Sequence, residues 1–235
     1  MKWEKFVLFL PILLAGCSHT IGYKLAEGDR WTGAKINGVV SIQSIVDHTT
    51  NINMDRHFEE EHLGKEVWRT NWRGGYGHTN LTADVTAVVI NHLSHSGLFD
   101  KVVSGTQTNA DYYFSGALVD FETHAQVNST AENIQAVSAG FGLIGALVGN
   151  ASTSNMKSEI KTFVRLDDLK LSDKSGQILW HDSITISNDV TADFMEANDV
   201  IIFNRPDQAL KDAVNEMIRR LGNSPLTNRV SSATH

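Results

Sequence analysis

Three glycines, Gly140, Gly142 and Gly145 in "SAGFGLIGALVG", have the spacing of a dinucleotide-binding turn. That chemistry needs a strand just before the glycines and a helix just after, so that backbone amides meet a pyrophosphate at the helix N-terminus. Here "NSTAENIQAVSA" precedes them, a poor strand. His57 and His62 in "HFEEEH" are five apart. A zincin helix needs its histidines four apart, on one face, so the segment reads as solvated charge in a loop. His92 and His95 are three apart and could meet on a helix. No placed carboxylate joins them, and they read as surface histidines. Asp167 and Asp168, neighbours in a predicted strand, should point to opposite faces and cannot act as an acid and base pair. No Gly-x-Ser-x-Gly elbow occurs. The expectation is a non-enzymatic protein with no catalytic residues, no cofactor and no metal site.

The elements around these residues follow from periodicity. Val39 to Val46 is β-branched and alternating, a strand. Asp47 to Thr79 reads as one long polar loop holding Trp68, Trp72 and Tyr76, an aromatic cluster suited to a partner or to covering the sheet. Leu81 to Ser94 is a helix with Leu81, Val85, Val88, Val89 and Leu93 on one face. Thr79 or Asn80 caps it and Gly97 stops it. "LFDKVVS" is a short strand, and Asp111 to Val127 a long one with Tyr113, Ser115, Ala117, Val119 and Phe121 sharing a face. Lys157 to Ser172 follows with Ile160, Thr162, Val164 and Leu166 on one side, then a turn at "DKSGQ" and a returning strand, Ile178 to Ile186. Trp180 falls in the core pattern of that strand. Asn188 to Asn204 is irregular. Pro206 opens an amphipathic helix ending at Gly222, with apolar faces at Ala209, Ala213, Met217 and at Leu210, Val214, Ile218, Leu221. This order predicts an α+β fold: a mostly antiparallel sheet with helices packed on one face, in a single domain.

The glycine-rich segment, residues 136–149, then becomes an insert between two long strands. Its Phe141, Leu143, Ile144, Leu147 and Val148 are too apolar for a solvated loop. Burial of one such side chain contributes about 1.5 to 3 kcal/mol. The segment should contact its own sheet, a partner subunit or a membrane surface.

The chain ends add localisation. Lys2 and Lys5 precede an apolar run from Phe6 to Leu14, the layout of a secretory signal peptide. The run closes as Leu14-Ala15-Gly16-Cys17, which resembles the bacterial lipobox, with cleavage between Gly16 and Cys17. That resemblance implies a diacylglycerol and an acyl chain on Cys17, and two or more chains anchor a protein stably. Cys17 is the only cysteine, so no intramolecular disulfide or cysteine zinc site can form. Ser18, rather than Asp, implies sorting to the outer membrane under the rule of that lipoprotein class. The formal charge of -7 and pI of about 5.8, without a basic stripe, argue against nucleic-acid binding. The expected organisation is signal peptide 1–16, lipidated tether 17–38, domain 39–222 and flexible tail 223–235.

Gly116 and Leu118, then Arg165, Leu166 and Asp168, then Ser175, Gly176, Ile178, Leu179 and Trp180 carry a family resemblance. "SGLFDKVV" adds to it. Over roughly Val39 to Gly222 the chain resembles periplasmic lipoproteins with the TolB N-terminal-like fold, the neighbourhood of the curli secretion channel subunit. The resemblance implies an outer-membrane-anchored accessory or scaffold subunit of an envelope complex. Its partners would be an envelope protein or further copies of itself. It also implies an alternative, a subunit of an oligomeric secretion channel of the curli-channel type; apart from the resemblance, the rival class is an undetected periplasmic hydrolase. "AVSAGFGLIGALVG" is apolar on both parities, unlike a barrel strand.

Overall fold

The computed structural model describes residues 30–50, 55–60, 65–70, 78–106, 109–126, 129–139, 152, 156–193 and 205–227. Seven strands form one sheet: β1 (Ile36–Asp47), β2 (Asp55–Glu60), β3 (Lys65–Thr70), β4 (Phe99–Ser104), β5 (Tyr112–Gln126), β6 (Lys157–Asp173) and β7 (Ile178–Asp193). Helices α1 (Leu81–Ser96), α2 (Ser129–Ala139) and α3 (Arg205–Gly222) accompany them. The fold is α+β.

Long β5 organises the sheet. On one side it pairs antiparallel with β6, which pairs antiparallel with β7. On the other it takes β1 in parallel along its first half and β3 antiparallel at its end. β4 joins β1 in parallel, and β2 joins β3 in antiparallel. The sheet is therefore mostly antiparallel, but β1–α1–β4 is a true parallel crossover unit. It lies far in sequence from the glycines that would need one.

Two strand assignments are corrected. The region 47–79, read as one loop, contains the β2–β3 hairpin strands: "DRHFEE" and "KEVWRT" are short, and charge masks their alternation. His57 thus lies in a strand. β7 runs on to Asp193, seven residues past the expected end, because β6 offers it a partner down to Lys157.

α1 and α3 lie on the same side and touch each other. In α1, Leu81, Val85, Val88, Val89 and Leu93 are all buried, Asn80 Oδ1 accepts from the Ala83 amide at 3.1 Å, and Gly97 closes the helix at φ 68. Thr86 and Thr82 fix α1 along β1, their hydroxyls accepting from the Ile45 and Asp47 amides at 2.9 and 3.3 Å. In α3, Ala209, Leu210, Ala213, Val214, Met217, Ile218 and Leu221 are buried as their spacing requires. Each fully buried Leu, Val or Met side chain among them contributes about 1.5 to 3 kcal/mol.

Bulges decide which strand residues face these helices. In β6, Ile160, Thr162, Val164 and Leu166 are buried in alternation. Asp168 then adopts φ 50 as an extra residue, and the inward set resumes at Leu169 and Leu171. This corrects the simple alternation assumed for Asp167 and Asp168. β5 carries an extra residue at Val119. Its core side chains are Phe114 and Leu118 before the bulge and Phe121 after it, so the expected five-residue face does not hold together. A bulge moves every later side chain to the other face.

Both domain boundaries shift. The folded unit starts before Val39: β1 begins at Ile36, and the Trp31 amide donates to the Ser96 carbonyl at 2.9 Å. Trp31 packs against the core and lies over Gly222, where a Cβ would come within 2.6 Å of its ring. Beyond α3, Ser224 and Thr227 are buried and Leu226 packs on the core, so residues 223–227 belong to the domain and not to a loose tail.

Candidate functional site

Among the residues expected to make contacts, Gly16, Cys17, Trp72, Tyr76, Phe141, Leu143, Ile144, Leu147 and Val148 lie outside the described residues. Trp68 is in β3, in register with Ala125 of β5, and not in a loop. The glycines also lie outside, but residues 129–139 immediately before them are helix α2. The strand that a pyrophosphate-binding turn needs is therefore replaced by a helix. His92 and His95 part company. His92 is buried, with Nδ1 2.8 Å from Asn215 Oδ1 across the α1–α3 interface, which corrects its surface reading. His95 is exposed, with Nδ1 2.8 Å from the Asn91 carbonyl. Trp180 is half-buried and stacks on Phe114 with ring centroids 6.3 Å apart.

The structure assembles a site that periodicity did not reveal. His78 stands two residues before the α1 cap, with its side chain fully buried. Nδ1 lies 2.8 Å from Asp84 Oδ2 in the first turn of α1. Nε2 lies 3.0 Å from Asp207 Oδ1 in the first turn of α3. The edge of the ring meets Phe121 of β5, with centroids 5.5 Å apart at 74°. First-turn carboxylates are favoured by the helix dipole, so two helix starts present anions to one imidazole. Burial disfavours the imidazolium, but the hydrogen bonds and charges of Asp207 and Asp84 outweigh it and raise the pKa. A catalytic histidine needs one ring nitrogen directed at a nucleophile. Here both are taken by carboxylates. The arrangement clamps α1, β5 and α3 together. Its sequence trace was faint: acidic residues in the first turns of two predicted helices, with one partner 129 residues away.

The opposite face of the sheet is polar. Asp167 accepts from the Ser183 hydroxyl and lies near Arg165, which also reaches Asp120 at 3.4 Å. Asp168 pairs with Lys170 at 2.6 Å and His181 at 3.2 Å. The Ser183 hydroxyl, foremost, lowers the Asp167 pKa, and Lys170 lowers that of Asp168. These groups are half-buried to exposed and pair with one another.

A second surface feature joins β7 to α3. Thr185 and Ile186 of β7 and Asp212, Asn215, Glu216, Arg219 and Arg220 of α3 line an open groove. Glu216 takes hydrogen bonds from Arg219 at 2.6 Å and Arg220 at 2.8 Å, which pull its pKa down to about 2. Arg220 also reaches Asp182 and the Ser183 carbonyl, at 3.3 and 3.4 Å.

No family model and no curated protein matches the chain. Solved structures resemble it in fold. Protein XCC0632 from Xanthomonas campestris, of the DUF330 family, is 12% identical, with a TM-score of 0.48 over 86% of this chain and 92% of that one. The PelC dodecamer from Paraburkholderia phytofirmans is also 12% identical, with a TM-score of 0.36 over 80% of this chain and 92% of that one.

Proposed function

We propose that the protein is a non-enzymatic lipoprotein, held in the outer membrane through Cys17, whose α+β domain serves a periplasmic envelope complex as an accessory or scaffold. The observation that carries this reading is how the chain enters the domain. Trp31 is pinned at the C-terminal ends of α1 and α3 by its amide bond to Ser96 and its contact with Gly222. Only residues 18–30 separate it from Cys17. At about 3.3–3.6 Å per residue, that tether reaches roughly 45 Å. A lipidated Cys17 would hold the Trp31 end of the domain close to the membrane. β5 runs from that end to the far end of the sheet, where α2 follows it in sequence. The polar sheet face and the groove are then open to a partner, and the His78 cluster is closed to substrate.

The channel alternative is less well supported. A membrane hairpin needs two strands of about 9–11 residues each. With α2 ending at Ala139 and β6 beginning at Lys157, residues 140–156 are too few for two such strands and a turn. Purification of the full-length protein from detergent-solubilised membranes, with mass spectrometry of what accompanies it, tests the accessory reading. A stoichiometric envelope partner is expected. Recovery of the protein without one would sink the proposal.

A further inference from the structure

The sheet has three outer edges, and they are not protected alike. β2 reads "DRHFEE" and β4 reads "FDKVVS", each carrying charge in or beside its centre. Charged residues are a usual means of stopping an edge from pairing with another chain. β7 pairs only with β6 among the described residues, and its stretch from Ser183 to Asn188, "SITISN", holds no charge and no proline, with Arg220 reaching the Ser183 carbonyl at its start at 3.4 Å. Thr185 and Ser187 are exposed there, and Ile186 is half-buried at the floor of the groove.

We propose that the outer edge of β7 is a homodimer seam, pairing antiparallel with β7 of a second copy about a two-fold axis at Thr185. Three observations select a second copy as the occupant. Ser183-Ile184-Thr185-Ile186-Ser187 reads the same in both directions. An antiparallel pair centred on Thr185 sets Thr185 against itself, Ile184 against Ile186 and Ser183 against Ser187. β-Branched and hydroxyl pairs of these kinds favour cross-strand contact. The charges of α3 follow the same symmetry. Along the groove, Asp212 and Glu216 precede Arg219 and Arg220. A two-fold axis reverses the second helix, bringing its basic end towards the acidic end of the first. Exposed charges of this kind set register more than affinity. The half-buried Ile186 gains the cover that one copy leaves incomplete. Such an isologous contact closes on itself. The inference goes beyond the accessory reading and does not depend on it, since the occupant is this chain and not an envelope partner.

The test uses the full-length protein in intact envelopes treated with diamide. Thr185→Cys is exposed and should give a disulfide-linked species at twice the monomer mass, with the linked peptide joining position 185 to itself. Wild type, whose only cysteine is Cys17, should give none. Ser183→Cys alone should give at least tenfold less, because the two-fold places it opposite Ser187. The double variant Ser183→Cys with Ser187→Cys should restore the band. Thr185→Lys should sediment as a monomer in detergent with an unchanged circular dichroism spectrum. Absence of the band in folded Thr185→Cys protein, equal bands from positions 183 and 185, or a link to a different protein would each overturn the seam. A lost seam with an envelope partner still recovered sinks this proposal alone. A seam without any envelope partner sinks the accessory reading alone.

Discussion

His78 shows how one side chain holds three elements. Removing it leaves Asp84 and Asp207 near each other, largely buried and without their shared partner. Breaking a buried pair in this way costs about 3–5 kcal/mol. His78→Ala should therefore lower the stability in urea by an amount of that order. The pH dependence has a definite sign. The folded-state pKa of His78 is raised above 6.5, so the folded protein binds this proton more tightly than the unfolded chain does. The resulting stabilisation is complete below about pH 6.5 and is lost as the pH climbs through the raised value. The wild-type urea midpoint should fall over that window, and the His78→Gln midpoint should stay nearly level across it. Equal slopes for the two proteins would show that His78 does not set the dependence.

Among the elements, Gly116 has a role that spacing alone could not explain. It lies in β5 opposite the β6 bulge, where a Cβ would come within 2.6 Å of Leu169 Cδ2. Leu169 is fully buried in the main core, so its side chain must shift among packed neighbours to admit a methyl group. Overpacking of this kind costs about 1–3 kcal/mol. Gly116→Ala should be less stable by that amount in chemical denaturation, while the overall secondary structure is retained. A variant as stable as wild type would mean that Leu169 can repack. The resemblance singled out Gly116, Leu118, Leu166 and Asp168 as letters. The structure gives them one physical setting, a paired bulge at which β5 and β6 change faces together.

For the whole molecule, the proposed anchor at Cys17 concerns one end of the domain. Trp31, Gly97, Gly222 and the β6–β7 turn share the end at which the tether enters. β5 ends at the other, where α2 follows it in sequence; Phe141 and Ile144 come after α2, outside the described residues. An acylated cysteine with two or more chains binds a bilayer stably, and one without them does not. Cys17→Ser should therefore lose outer-membrane flotation, with processing blocked or rerouted, while the domain keeps its fold. Flotation at the wild-type level would show that something other than lipid holds it.

By itself the sequence determined α1 and α3, down to the buried faces, the Asn80 cap and the Gly97 stop, because helical periodicity is a local property and those helices are long. It also determined the α+β class and the order of the long strands, since turns such as "DKSGQ" are written in adjacent residues. Only the tertiary structure decided the rest. The β2–β3 strands needed the end of β5 as a partner before their charged letters could read as strand. The bulges at Val119 and Asp168 changed which residues face the helices, and a bulge is a mismatch between two strands that neither strand contains alone. The His78 clamp needed a carboxylate from the far end of the chain, and His92 was buried by a helix that begins more than a hundred residues later. In each case the deciding contact lies between segments distant in sequence, where local spacing carries no signal.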